Sequence, residues 1–161
     1  MTTDTASFYR ISAVITGYSE AELHGTGVGE AYYATLYRWI RQDVLTRFFA
    51  LCERILSQPQ TQWDEALRQQ VFASQEFGPI ARNLIKLWYL SSWYPLEPEW
   101  NQRFGVPAYR APVVGEAEPP LQSYVVSNNA YIQGLAWRAL GSHAMGAQQP
   151  GYASWAEEPK R

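Results

Sequence analysis

Over most of the first hundred positions, apolar residues recur at intervals of three and four, the spacing of a helix with one face turned inward. Phe8, Ile11, Val14 and Ile15 form the first such stripe, and Gly17 is a natural stop for it. Ser19, with Glu22 three positions later, has the form of a capping box opening a second helix. Gly25, Gly27 and Gly29 weaken that helix by about 1 kcal/mol each relative to alanine. Regular structure is therefore expected only from about Glu30, through Tyr32, Tyr33, Leu36, Tyr37, Trp39 and Ile40. Asp43 is placed to cap a further helix whose apolar stripe is Val44, Leu45, Phe48, Phe49, Cys52, Ile55 and Leu56, closed by Pro59. Trp63 to Ala73 reads as a short amphipathic helix, and Gly78-Pro79 opens the next.

From Ile80 to Tyr94 the polar residues Arg82, Asn83 and Lys86 occupy one narrow arc, which implies a helix buried on more than one side. The helical part is thus expected over about 8–94. Six prolines between Pro95 and Pro120 then predict an irregular crossing over 95–120, in which Val113 and Val114 offer at most a stray strand. Leu121 to Leu140 reads as a last helix, with Tyr124, Val125, Tyr131, Leu135 and Trp137 among its packing residues and Gly141 as its stop. The remainder, 141–161, is expected to be extended or turn-like, and ordered only where its aromatics dock. The predicted fold is all-α: a single domain over 1–161 of about five or six helices, a proline-rich crossing and an extended aromatic tail.

Composition sharpens this. Hydrophobic residues make up 47% of the 161, an ordinary globular value, but aromatics reach 15% and charged residues only 17%. Charged residues are typically about a quarter of a soluble domain, so the surface is expected to carry an apolar interaction site. Net charge is −2 with no basic cluster, which argues against nucleic acid and anionic membrane surfaces as partners. The densest aromatic stretch, LIKLWYLSSWYPLEPEW from Leu84 to Trp100, is interrupted by Lys86 and Pro95 and is not expected to insert into a bilayer. The N-terminus MTTDTASFYR shows no basic region followed by an apolar run.

Candidate chemistry is sparse. Glu22, His24 and Glu30 are near in sequence, yet the Glu-x-His spacing does not set two ligands on one helical face. Cys52 falls on an apolar stripe, the setting of a small core residue rather than of a reactive thiolate. Gly-Thr-Gly-Val-Gly at Gly25 to Gly29 lacks the strand, the spacing and the Lys-Ser/Thr of a phosphate loop. Glu97 and Glu99 sit among prolines with no evident partner, and Asp43 and Asp64 suit helix starts better than acid–base work. No nucleophile, base and orienting group come together, so no catalytic residue, metal site or cofactor is assigned to this chain. A binding subunit is the expectation.

Four segments in order resemble a known family. Phe-Tyr-Arg-Ile-Ser-Ala-Val-Ile-Thr-Gly at Phe8 to Gly17 resembles the F-x-x-L-S-x-x-L-T-G opening of the small subunits of membrane-bound FAD-dependent sugar and polyol dehydrogenases, those of D-sorbitol, fructose, glucose and 2-ketogluconate. Ala81 to Leu90 resembles the family's I-x-x-x-W-Y-L-G helix, with Ser91 where glycine is usual. Tyr124 to Trp137 is similar to its C-terminal helix, and Gln149 to Pro159 to its P-G-x-x-x-W-A-x-P ending. The resemblance implies a non-catalytic small subunit that stabilises, matures and is co-exported with a large FAD-containing catalytic subunit in the periplasm. A multi-haem cytochrome c commonly completes such complexes, whose flavin and haems lie outside the small subunit. The twin-arginine leader typical of the family has no counterpart in MTTDTASFYR. Trp88, Tyr89, Trp93, Tyr94, Trp100, Tyr152 and Trp155 are the candidates for touching that partner or for holding the face that does. Two other readings compete: an autonomous helical module holding an apolar or aromatic small molecule, and a small enzyme using His24 or Cys52.

Overall fold

A computed structural model describes residues 3–105 and 120–144 of the chain. Its framework is all-α, with one small two-stranded sheet and a hydrophobic core shared by nearly all its elements. Helix α1 (Thr3–Thr16) ends where Gly17 takes φ +77°, a left-handed turn that favours glycine. Ser19 then caps α2 (Glu20–Gly25): its Oγ accepts from the Glu22 amide at 3.3 Å, and the Glu22 carboxylate accepts from the Ser19 amide at 2.9 Å. The capping box is present in full. Gly27 turns the chain at φ +67°, and α3 (Gly29–Trp39) starts one residue before the expected Glu30. Gly29 is there because Tyr9 lies against it; a Cβ would stand 2.1 Å from the Tyr9 hydroxyl.

Helix α4 (Gln42–Leu56) buries all seven residues of its predicted stripe. Asp43 does not cap it, which corrects the sequence expectation: Arg41 holds the capping position without a side-chain bond. Asp43 sits in the first turn and accepts from Arg41 at 2.8 Å and Arg47 at 2.9 Å, its negative charge facing the positive end of the helix dipole. Beyond Pro59 the single amphipathic helix expected over Trp63 to Ala73 is a composite. A 3₁₀ turn (Gln60–Gln62) leads into α5 (Trp63–Ala66), which widens into a π-helical turn (Leu67–Phe72). Leu67 and Val71 still reach the core from the wider turn.

Helix α6 (Gly78–Leu90), with Pro79 in its first turn, stops four residues short of the predicted end at Tyr94. Ser91 breaks it with φ +57°. The chain then runs extended as β1 (Ser92–Trp93), antiparallel to β2 (Tyr124–Val125), with Ser92 opposite Val125 and Trp93 opposite Tyr124. The proline-rich stretch is not wholly irregular either. Pro98 opens α7 (Pro98–Phe104), because a proline in the first helical turn gives up no needed N–H.

The predicted helix Leu121–Leu140 is likewise corrected. It resolves into β2, then α8 (Asn128–Gln133), capped by Ser127 Oγ accepting from the Ala130 amide at 3.0 Å, then α9 (Leu135–Ala139) after a break at Gly134. Gly141, at φ +63°, ends α9 as expected. The helical segments are thus more numerous and shorter than the five or six expected. Val113, Val114, Tyr152 and Trp155 lie outside the described residues.

Candidate functional site

The stretch from Leu84 to Trp100 divides sharply by burial. Trp88 (1% exposed) is the centre of the core, stacked on Phe8 with ring centroids 5.9 Å apart and edge-on to Tyr32 at 5.1 Å. Trp93 on β1 is equally buried, and Trp100 on α7 is 4% exposed, its indole Nε1 donating to the Glu76 carbonyl at 2.8 Å. The described chain itself covers these three tryptophans, so of the two roles expected for them, touching a partner or holding the face that does, their burial fits the second.

Tyr89 and Tyr94 are half-buried. The Tyr89 hydroxyl donates to the Thr16 carbonyl at 2.8 Å, tying α6 to the end of α1; burial, and then neighbouring Tyr18, push its phenol upward. Tyr94 lies beneath the Lys86 ammonium, 4.3 Å from its ring centroid. Its amide donates to Asn83 Oδ1 at 3.2 Å and its carbonyl accepts from Asn83 Nδ2 at 2.9 Å, so the buried Asn83 fixes the chain past the end of α6.

Ser91 joins the two halves of the molecule. It is 1% exposed, its Oγ donates to the Ala130 carbonyl at 2.5 Å, and its own carbonyl accepts from the Val126 amide at 2.9 Å. Gly134 packs so closely that a Cβ would stand 2.8 Å from Ser91 Oγ and 3.1 Å from the Tyr89 carbonyl. Tyr32 points toward the same place. Burial pushes its phenol up to about 12, partly offset by the Ser91 hydroxyl, although Tyr32 itself completes no hydrogen bond. Ser12 Oγ and Trp88 Nε1 are also buried without a partner.

The residues weighed for chemistry stand apart. His24 is exposed and stacks on Tyr9 with ring centroids 3.6 Å apart; Glu22 is committed to its cap; Glu30 is exposed. Cys52 is buried on α4, and burial followed by the neighbouring Glu53 pushes its thiol up to about 12, so it is a protonated core residue near neutrality. Among the described residues no three His, Cys, Asp or Glu side chains gather as metal ligands, and no helix is long and apolar enough to cross a membrane. Two clefts on the surface of the described residues are large enough to note. One, of about 470 Å³, is lined by Trp39, Trp93, Leu96, Pro98, Pro120 and Leu121 among others. The other, of about 280 Å³, lies between α1 and the π-helical turn and is lined by Val14, Ile15, Asp64, Leu67, Arg68 and Phe72.

The residues that sequence reasoning missed are aliphatic. Among the described residues, Leu90 (48% exposed), Leu121 (96%), Val125 (48%) and Leu140 (75%) are the large apolar side chains left in solvent. Hydropathy periodicity hides them, since each looks like a helix's inward residue. The signal that could have found them is charge: of the 25 residues Pro120–Ala144, Arg138 alone is charged. No family model, no curated protein and no solved structure matches the chain.

Proposed function

We propose that this chain is a non-catalytic small subunit of a periplasmic FAD-dependent sugar or polyol dehydrogenase complex. It stabilises and matures the large flavoprotein subunit, in a complex of the kind that a multi-haem cytochrome c commonly completes. The observation that carries this reading is where the resembling segments meet. Phe8 of the first segment stacks on Trp88 of the second, and Thr16 accepts the Tyr89 hydroxyl. Ser91, at the end of the second, bonds Ala130 of the third. Segments far apart in sequence thus form one packed unit, which supports reading them as a shared scaffold.

The physical work of such a subunit is burial of apolar surface against its partner, at about 25 cal/mol per Å². Flavin, substrate pocket and catalytic groups belong to the large subunit. The test is co-expression of the FAD-containing dehydrogenase with and without this chain. Co-purification of the two, with a higher yield of FAD-loaded active enzyme when the chain is present, is expected. An active dehydrogenase of unchanged yield that never co-purifies with the chain would falsify the proposal.

The cleft beside Trp39 and Trp93 favours a second reading, an apolar small-molecule binder. That reading requires saturable quenching or enhancement of tryptophan fluorescence by an aromatic probe in the isolated chain. A flat titration removes it.

A further inference from the structure

We infer that the layer formed by Pro120–Ala144, together with the C-terminal end of α6, is the docking face for a folded protein partner whose contacting surface is equally poor in charge. The inference rests on the small-subunit reading above and takes that partner to be the FAD-containing dehydrogenase subunit. Two independent observations select this face.

The first is the distribution of charge. One residue in 25 is charged here, against roughly a fifth of the remaining described residues, and that one, Arg138, is engaged. Its guanidinium lies 3.6 Å from the Glu22 carboxylate and 5.6 Å from the centroid of the Tyr18 ring. Elsewhere among the described residues charges come in pairs: Arg10 with Glu53 at 2.6 Å, Arg47 with Asp43 at 2.9 Å and with Glu76 at 2.5 Å, and Arg68 with Glu65. Depletion of charge, more than bulk hydrophobicity, marks the core of a protein interface.

The second is the exposed aliphatics. Leu121, Val125 and Leu140 belong to this layer, and Leu90 lies two residues before Ser92, the cross-strand neighbour of Val125. They stand among uncharged hydrogen-bonding groups, the side chains of Gln122, Ser123, Ser127, Asn128 and Asn129, all exposed. Some twenty residues of the layer reach solvent at least in part, which matches the roughly 20–30 residues each partner contributes to a standard interface. With Arg138, engaged by Glu22, as its one charged residue, the layer offers little to lipid headgroups or phosphates. A protein surface of apolar and neutral polar groups leaves no charge buried unpaired on either side.

The test uses the full chain, with the co-expressed dehydrogenase subunit as probe. Leu90→Lys, Val125→Lys and Leu140→Lys each place a charge in the layer at an already exposed position, and Ala50→Lys does the same on the solvent side of α4. Each face variant is expected to weaken capture on the order of tenfold or more, and Ala50→Lys to leave it unchanged. Thermal melts of the isolated variants show whether each folds as the wild type does. In the unaltered complex, slowed amide exchange over residues 120–144 on adding the dehydrogenase gives the same answer without substitution. Capture unaffected by the three face variants, with exchange over 120–144 unchanged, overturns the face and leaves the small-subunit reading standing. Failure of the wild-type chain to bind the dehydrogenase overturns both. A homodimer of the chain alone that Val125→Lys converts to monomer overturns the assignment to a foreign partner.

Discussion

Helix α4 and the layer Pro120–Ala144 solve the same problem in opposite ways. Both bury apolar side chains against α6 or its neighbours, and both leave about half their residues in solvent. Helix α4 brings its own solvent coat, with Asp43, Arg47, Glu53 and Arg54 on the outer side and seven apolar residues inside. The layer has no such coat: apart from Arg138 its outward residues are uncharged, leucine, valine, serine, glutamine and asparagine among them. Such a coat adds little stability, since exposed ion pairs contribute only about 0–1 kcal/mol each. Its effect is on what the surface can touch. A coated helix repels casual apolar contact, whereas an uncoated layer invites it.

The sharpest way to break the comparison is at the inward residues. Phe48→Ala, in a fully buried position of α4, is expected to cost about 3–5 kcal/mol in urea unfolding, enough to abolish the native state of a marginal domain. Loss below about 1 kcal/mol would show that α4 is not part of the cooperative core. Next comes the seam between the layer and α6. Gly134→Ala drives a methyl group against Ser91 Oγ and the Tyr89 carbonyl, and a loss of about 1–3 kcal/mol is expected from the overpacking.

A finer contrast comes from Ser91. Ser91→Ala keeps the left-handed strain and leaves the buried Ala130 carbonyl without its donor, whereas Ser91→Gly removes the strain while losing the same bond. Chemical denaturation is expected to rank wild type above Gly, and Gly above Ala by about 1 kcal/mol. Equal stability of the two variants would mean that the φ of +57° carries no cost.

Smaller still is the acid response of the capping box. The Ser19 backbone and hydroxyl bonds, helped by Arg138, hold the Glu22 carboxyl below its ordinary value. A depressed folded-state value means the stabilisation is present above the ordinary carboxylate range and is lost as pH falls through the folded value. Melting temperature is therefore expected to fall below about pH 4.5, and to fall less in Glu22→Gln, which lacks the ionised cap at every pH. Parallel acid profiles would remove Glu22 from that response. At the outer surface of the layer the expected effect is nil: Leu140→Lys should leave the isolated chain within about 0.5 kcal/mol of wild type, because Leu140 is 75% exposed among the described residues.

These contrasts also show what the sequence could disclose. Where local pattern and tertiary demand agree, the reading was legible to the residue, as in the α4 stripe and the Ser19–Glu22 box. Leu121–Leu140 misled because its apolar spacing suits a helix, while Tyr124 and Val125 are extended by pairing with Trp93 and Ser92, some thirty residues away. No local propensity reports such a partner. Pro98 misled in the other direction: a proline forbids a helix's interior but suits its first turn, and only the fold says which position it occupies. The aromatic candidates were only half legible for a related reason. Composition tells that rings must be covered, but not whether the chain or another molecule covers them. Trp88, Trp93 and Trp100 are covered from within.

The Ser91–Ala130 bond spans 39 residues and the Trp39–Tyr124 bond spans 85, so both wait on chain closure that the local helices do not need. The core is no more local: the Tyr89–Thr16 bond that ties α6 to α1 spans 73 residues. Core and layer therefore close over similar reach, which slows folding relative to a bundle of sequence-adjacent helices.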